Sequence, residues 1–314
     1  MADLDHGDLG PNILASAFVM WTIALVFVLL RFWTRARIVH ALGPADWCIA
    51  LSLIASLGMC ISYVEEVRRG MGKHIWDIDM RNFTPMMEAW WFALLCYVLS
   101  LALTKVSICL LYLTIFTFEW ARRASYFVLA VVVITNLWGT AATLTYCIPL
   151  QATWDPAVIA SFCQSQDAWW ANTGLVIATD LMIFILPIPI VLPLKLPRRQ
   201  KFVVVGIFTI GFFVCLVSLI RLIILIDVKR IADIDFTYTS TTLTCLTVLE
   251  VHTAIVVACA MTLKPLVSRF FPRLLDPRSS GRKLVYGTSP WVRGDAASER
   301  TEDLGREATA RSIG

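Results

Sequence analysis

The sequence predicts an all-α fold, a polytopic membrane protein built as a seven-transmembrane-helix bundle. Three observations favour this class. Of the 314 residues 58% are hydrophobic, only 16% are charged, and the apolar residues are gathered in long segments separated by short polar ones. An ordinary soluble domain carries about a quarter charged residues. Because lipid offers no partners to backbone polar groups, each apolar segment is expected to be an α-helix.

Seven segments have the length that crosses a hydrocarbon core, which takes roughly 20 apolar residues. In chain order they are 12–30, 47–64, 89–116, 124–146, 169–194, 202–226 and 241–263. The first, second and fourth segments contain no charged residue. The third, fifth, sixth and seventh carry one charged residue each, in the order Lys105, Asp180, Arg221 and Glu250. Three prolines predict a kink at the end of the fifth segment, either a helix end shaped by packing or a moving hinge: Pro187, Pro189 and Pro193.

The bundle, residues 12–263, is expected to lie between an extracellular N-terminal tail, residues 1–11, and a cytoplasmic, largely disordered tail, residues 264–314. The first tail holds three Asp and no Lys or Arg, so it lacks the basic region of a cleaved signal peptide. Lys and Arg accumulate on cytoplasmic loops. The larger basic group follows the first, third, fifth and seventh segments, which places the N-terminus outside and the C-terminus inside. The predicted localisation is a plasma membrane or an endomembrane.

Two predicted outer loops contain side chains that are candidates for binding or for a disulfide. The loop of residues 65–88 is the longest connector, and His74, Trp76 and Asp77 within it are candidates for binding or capping. Cys147 and Cys163 bracket the loop between the fourth and fifth helices. An oxidising compartment allows a disulfide between them, and Cys96 is the alternative partner.

The four intramembrane charges are the main candidates for a ligand site or a polar network. Charged side chains within a membrane are costly and tend to face the bundle interior. Lys105, Asp180, Arg221 and Glu250 form two acids and two bases, which leaves the interior formally neutral. They indicate either a polar cavity that binds a ligand or moves protons, or two interhelical ion pairs that fix packing. His252 lies two residues after Glu250 and is expected to face away from that site.

Several classes of function find no support in the residues. The seventh segment has no lysine before Lys264, so we expect no retinal and no other cofactor. A phosphate-binding loop, a zinc motif and a nucleophile elbow are all absent from the sequence, so neither a metal nor catalytic residues are assigned. The basic residues follow the predicted cytoplasmic face, and nucleic-acid binding is therefore not expected.

An ordered set of short motifs extends over nearly the whole bundle. The set comprises Arg31-Phe32-Trp33-Thr34-Arg35, Gly43-Pro44-Ala45-Asp46-Trp47, Gly70-Met71-Gly72-Lys73-His74, Lys105-Val106-Ser107-Ile108, Leu111-Tyr112, Cys147-Ile148-Pro149, Trp154-Asp155, Cys163, Asp180, Leu186-Pro187-Ile188-Pro189, Ile220-Arg221, Glu250 and Lys264-Pro265-Leu266. With this set the chain resembles the fungal rhodopsin-like integral membrane family, of the satratoxin-cluster type. The resemblance implies a seven-helix, receptor-like architecture, and the family's name does not imply retinal.

One position departs from the family pattern. The family commonly has two adjacent acids before the tryptophan of helix two, whereas here Ala45 precedes Asp46. A role that needs both acids is therefore not supported, and Asp46 is expected to cap helix two.

Three functions compete. The first is a receptor-like sensor without retinal for a small apolar ligand or metabolite; coupling to a G protein has no support from an Asp-Arg-Tyr or Asn-Pro-x-x-Tyr motif. The second is a membrane-embedded accessory protein or a cyclase-type enzyme of natural-product biosynthesis, with Asp180 or Glu250 as proton donor. The third, a transporter, would need broken helices in corresponding halves, which are not visible. We expect a sensor in contact with the lipid bilayer rather than an enzyme, with an association to a secondary-metabolite pathway.

Overall fold

The structure is a computed structural model that describes residues 7–116, 118–155, 157–191, 209, 211–224 and 236–263. These residues form a helical bundle. Its seven longer helices are α1 (Gly10–Thr34), α2 (Pro44–Arg69), α3 (Phe83–Ile115), α4 (Glu119–Leu144), α5 (Gln166–Ile185), α6 (Gly211–Ile224) and α7 (Phe236–Ala260). The predicted helical membrane fold is confirmed, and α1 to α4 and α7 are each long and apolar enough to cross a bilayer.

The predicted boundaries of the bundle differ in part from the helices. Both α3 and α7 begin before the predicted segments, which started at residues 89 and 241. Pro85 lies in the first turn of α3, where a missing N–H costs no helical hydrogen bond. The described part of the sixth segment is α6. The predicted tail, residues 264–314, lies outside the described residues, as do residues 1–6.

The fifth predicted segment is interrupted where the prolines begin. Ser165 accepts a hydrogen bond from the N–H of Ala168 at the start of α5, and the helix ends at Ile185. A separate helical turn, Ile188–Val191, follows. Pro187 lies between these elements, where its ring prevents the continuous hydrogen-bond ladder that a single helix would require.

Helix α3 is the centre of the bundle, in contact with α2, α4, α5 and α7. Small hydroxyl side chains form part of its contact with α2. Ser52 Oγ lies 2.9 Å from Ser100 Oγ and 2.7 Å from Thr104 Oγ1. Such residues let helix backbones approach closely in a membrane and form hydrogen bonds between helices.

The two ends of the bundle are called the Arg31 end and the disulfide end. The Arg31 end holds the junction between α1 and α2, where His40 adopts a left-handed conformation (φ 52°). The disulfide end holds the loop between α2 and α3 and the loop between α4 and α5. Gly72, at the disulfide end, has φ +96°, and a Cβ there would lie 2.5 Å from the backbone N of Gly10, so only glycine fits.

At the disulfide end the structure joins Cys147 to Cys163, the pair that brackets the loop in the sequence. The two residues face each other in a small antiparallel sheet of β1 (Cys147–Ile148) and β2 (Phe162–Cys163). Cys96, the alternative partner, has a free thiol. The loop between α4 and α5 is therefore closed by one covalent bond.

Replacing Cys147 with serine is expected to lower the free energy of unfolding by about 3 kcal/mol, the loop-closure value for a loop of about 15 residues. Thermal unfolding of the purified protein with and without a reductant measures the effect. Reductant should lower the melting temperature of the wild type and leave that of Cys147→Ser unchanged. Cys48→Ser, which alters a free thiol of α2, is the control and should keep the response to reductant. If reductant does not change the melting temperature of the wild type, the prediction is wrong.

Candidate functional site

The intramembrane lysine is fully engaged by α5. Lys105 Nζ on α3 lies 3.0 Å from Asp180 Oδ1, and it donates hydrogen bonds to the carbonyl oxygen of Val176 at 3.0 Å and to Thr179 Oγ1 at 2.9 Å. Lysine has three N–H groups in its charged form. All three therefore have partners, which suits an ammonium ion that is buried against a carboxylate.

The second ion pair joins α6 to α7. Arg221 Nη1 lies 3.2 Å from Glu250 Oε2 and also donates a hydrogen bond to the hydroxyl oxygen of Tyr97. The Tyr97 hydroxyl in turn donates to Glu250 Oε2 at 2.9 Å, and Ser218 Oγ donates to Glu250 Oε1 at 2.6 Å. Each carboxylate oxygen of this buried acid is thus hydrogen-bonded, as a charge in a low-dielectric interior requires.

The structure therefore brings the four charged candidates into two pairs, each of opposite sign. The pairs share α3, because that helix supplies both Lys105 and Tyr97. Tyr97 also lies under the Arg221 guanidinium, whose carbon is 4.7 Å from the ring centroid. We call the five residues Tyr97, Lys105, Asp180, Arg221 and Glu250 the charge layer.

His252 is buried and its Nδ1 lies 2.7 Å from the carbonyl oxygen of Val248, outside this layer.

A cavity of about 200 Å³ extends from the charge layer toward the Arg31 end. Lys105, Asp180 and Glu250 form its polar end. Apolar side chains of α3, α5, α6 and α7 form most of the rest, and they include Leu101, Ile108, Tyr112, Ile183, Val214, Ala254 and Val257. We call this space the apolar cavity. Its composition resembles that of small-molecule sites, which are mostly apolar with a few placed polar groups.

A smaller cavity of about 60 Å³ lies on the other side of the charge layer, toward the disulfide end. It is lined by Lys105 and Arg221, by apolar side chains such as Leu101, and by neutral polar side chains of α3, α4, α5 and the loop after α4. Those polar residues are Tyr97, Thr135, Asn136, Thr143, Tyr146, Gln164, Asn172 and Thr173. We call this space the polar cavity. The charge layer thus separates two compartments of different chemistry.

The three loop candidates lie at the disulfide end and line neither cavity. The His74 ring stacks between Trp76, at 4.5 Å between centroids, and Tyr238 of α7, at 4.2 Å. Thr237 Oγ1 donates a hydrogen bond to the carbonyl oxygen of Lys73 at 2.8 Å. Asp77 lies in the short 3₁₀ helix Ile75–Asp77. These contacts attach the loop to the start of α7.

Sequence reasoning missed a third charged cluster, at the Arg31 end. Arg31 is fully buried, and its Nε lies 2.9 Å from Asp46 Oδ1. Its Nη1 donates to the carbonyl oxygen of Ala258 at 2.8 Å and its Nη2 to Ser107 Oγ at 3.4 Å. Arg35 Nε lies 3.0 Å from Asp46 Oδ2. One arginine therefore joins α1 to α2, α3 and α7.

Asp46 also has the capping role that the sequence predicts. Its Oδ2 accepts a hydrogen bond from the backbone N–H of Gly43 at 2.9 Å, at the start of α2. A single carboxylate thus caps a helix and holds two arginines. Tyr97 and Ser218 were missed for a different reason, since neutral hydroxyls in apolar helices do not stand out in a sequence.

The comparisons with known proteins agree with this architecture. The family described as "Fungal rhodopsin domain" matches residues 30–269, about three quarters of the chain. "Polyenoic acids biosynthesis gene cluster protein Ba17b" of Metarhizium anisopliae is 25% identical over 309 residues, which cover 90% of this chain and 78% of that protein. "Receptor GIN3" of Arthrobotrys oligospora is 21% identical over 299 residues, with coverage of 91% and 69%.

"SAT4 family membrane protein" of Emericella nidulans is 26% identical over 226 residues, which cover 70% of this chain and 56% of that protein. No solved structure matches the chain. The family match and the apolar helices together establish a multi-pass integral membrane protein. The chain belongs to the fungal rhodopsin-domain family.

Proposed function

We propose that this protein is a receptor-like sensor that binds a small apolar molecule in the apolar cavity. The observation that carries the proposal is the cavity itself, a partly open apolar space among α3, α5, α6 and α7 that ends on paired charges. A volume of about 200 Å³ exceeds the about 150 Å³ of an engineered apolar cavity that binds benzene. The ligand class is therefore a compact apolar molecule with one polar group that reaches Lys105, Asp180 or Glu250.

We propose that binding is non-covalent and involves no retinal. A Schiff base would need the Lys105 amine in its neutral form, and its three N–H groups are already directed at Val176, Thr179 and Asp180. Helix α7, where a retinal protein would carry its lysine, contains none. These observations support a ligand held by apolar contacts and hydrogen bonds.

The proposed orientation places the disulfide end outside the cytoplasm. Disulfides persist in oxidising compartments, so the Cys147–Cys163 bond supports this direction. The N-terminus then lies outside, and the loops at the Arg31 end are the only described cytoplasmic connections. No coupling motif supports a G protein as the partner.

Occlusion of the apolar cavity tests the sensor proposal. Ala254 lines the cavity on α7, and Ala254→Phe is expected to fill it with a phenyl ring. In the source fungus, we expect this variant to reduce the transcriptional response to apolar extracts at least ten-fold, as deletion of the gene does. Native mass spectrometry of the purified protein should also show a bound apolar molecule in the wild type and none in the variant.

The matched control is Ala130→Phe, the same substitution at an exposed position of α4. It should keep the response, and immunoblots of membranes should give equal amounts of all variants. If the deletion strain shows the same transcriptional response to every extract as the wild type, the sensor proposal is contradicted.

The second candidate is an accessory protein or cyclase-type enzyme of natural-product biosynthesis. Two observations favour it: one relative is named for a biosynthesis gene cluster, and the carboxyl groups of Asp180 and Glu250 line the apolar cavity. Against it, each acid already forms an ion pair with a base of the bundle. Product profiles of Asp180→Asn and Glu250→Gln strains, grown without extracts, distinguish the candidates. A changed profile would favour biosynthesis over sensing.

A further inference from the structure

We propose that the polar cavity is a binding site for a small monovalent anion of about the size of chloride. The site is separate from the apolar cavity and lies on the other side of the charge layer. The proposal rests on the sign of the charges that line the polar cavity, on a buried N–H group without an acceptor, and on the space that a glycine leaves open.

The lining of the polar cavity is positive. Lys105 and Arg221 both line it, and none of the lining residues that the structure describes is an Asp or a Glu. Their carboxylate partners, Asp180 and Glu250, line the apolar cavity instead. The polar cavity therefore faces the cationic side of both ion pairs, where the potential favours an anion.

Arg221 has a donor that no described residue accepts. Its Nε is buried and has no hydrogen-bond partner among the described residues, while its Nη1 donates to Tyr97 and Glu250. A buried guanidinium N–H without an acceptor is costly. Arg221 lines the polar cavity, so an anion that reaches it from there would be attracted by its charge and would supply the missing acceptor.

Neutral donors complete the site. Asn172 and Gln164 contribute side-chain amides to the cavity lining, and Tyr146 contributes a hydroxyl. A single water needs about 10–15 Å³, so a space of about 60 Å³ accommodates a halide ion with one or two waters. The surroundings thus supply both charge and hydrogen bonds, which a small anion needs when it leaves water.

Gly139 of α4 keeps the space open. A Cβ on this residue would lie 3.1 Å from Asn172 Oδ1, so a larger side chain here would enter the cavity and displace the amide. Gly174 of α5 offers a matched comparison, since a Cβ there would meet no atom within 4 Å. The two glycines allow the same substitution inside the site and away from it.

The experiment is a chloride titration of the full chain in lipid nanodiscs, with sodium gluconate replacing sodium chloride at constant ionic strength. Because a ligand that binds only the folded state raises its stability, we expect the melting temperature to rise by several degrees and to saturate with chloride. Bromide should act in the same way. Gly139→Leu should weaken the apparent chloride affinity at least ten-fold, and Gly174→Leu should leave it unchanged.

A melting temperature that does not distinguish chloride from gluconate would overturn the proposal, because the cavity would then hold water alone. A chloride response of equal affinity in Gly139→Leu would also overturn it. If Gly139→Leu does not fold, Asn172→Leu takes its place, since it removes an amide from the site without altering either ion pair. Loss of the chloride response in that variant supports the site, and an unchanged response contradicts it.

Discussion

Asp46→Asn is expected to lower the free energy of unfolding by about 3–5 kcal/mol, the cost of removing one partner from a buried ion pair. The substitution keeps the shape of the side chain but removes the charge that faces Arg31, which has no exposed surface. Arg35 loses its partner as well. Equilibrium unfolding in mixed micelles measures the loss, and thermal unfolding should show a lower melting temperature.

The control for this prediction is an exposed ion pair. Glu119 and Arg123 lie 3.5 Å apart on α4, with 88% and 83% of their side chains exposed. Glu119→Gln should change the free energy of unfolding by no more than about 1 kcal/mol. Similar losses in Asp46→Asn and Glu119→Gln would show that burial of the cluster contributes nothing to stability.

Glu250→Met is expected to have an effect of the same size, about 3–5 kcal/mol. Removing the carboxylate leaves the Arg221 guanidinium, the Tyr97 hydroxyl and the Ser218 hydroxyl without their common acceptor. The double variant Arg221→Met/Glu250→Met removes both charges. It should recover part of the loss, because an apolar pair is often as stable as a buried ion pair.

A double-mutant cycle measures this coupling. We expect the double variant to lose less free energy of unfolding than the sum of the single variants, by at least about 1 kcal/mol. Glu65→Gln, which alters a half-exposed pair with Arg69 on α2, is the control and should cost no more than about 1 kcal/mol. Additive losses at Arg221 and Glu250 would mean that the pair is not coupled.

Much of the helical architecture could be predicted from hydropathy, because lipid forces apolar segments to be helical. The four charges in the apolar segments were also visible in the sequence. Their pairing follows from the cost of leaving a charge alone in a membrane. Two interhelical ion pairs were one of the two alternatives that the sequence indicated, and the structure places Lys105 with Asp180 and Arg221 with Glu250 within 3.2 Å.

The cluster at the Arg31 end could not be recognised by the same reasoning. Arg31 directly follows an apolar segment and Asp46 directly precedes the next. Residues at such positions are ordinarily exposed to water and are counted for orientation or capping. Arg31 is interior because α2, α3 and α7 all contact it, and one of these contacts is the hydrogen bond to the carbonyl oxygen of Ala258. That contact joins residues 227 positions apart, which no local pattern reports.

The cavities were beyond sequence reasoning for a related reason. The position of each wall depends on helix ends and rotations that hydropathy does not define. Pro187 shows this well: the sequence indicated a kink, whereas the structure ends α5 before the proline and places that residue in the wall of the apolar cavity. Gly139 was equally inconspicuous, although it leaves space for the polar cavity.

Lys105 borders both compartments, and so does Leu101, one turn away on α3. A ligand in either cavity therefore contacts the same two side chains, Lys105 and Leu101. If both compartments bind as proposed, their occupancies are thermodynamically linked, and each ligand alters the affinity of the other by the same factor. The ionic composition on the disulfide side of the membrane would then adjust the concentration at which the protein responds to an apolar ligand.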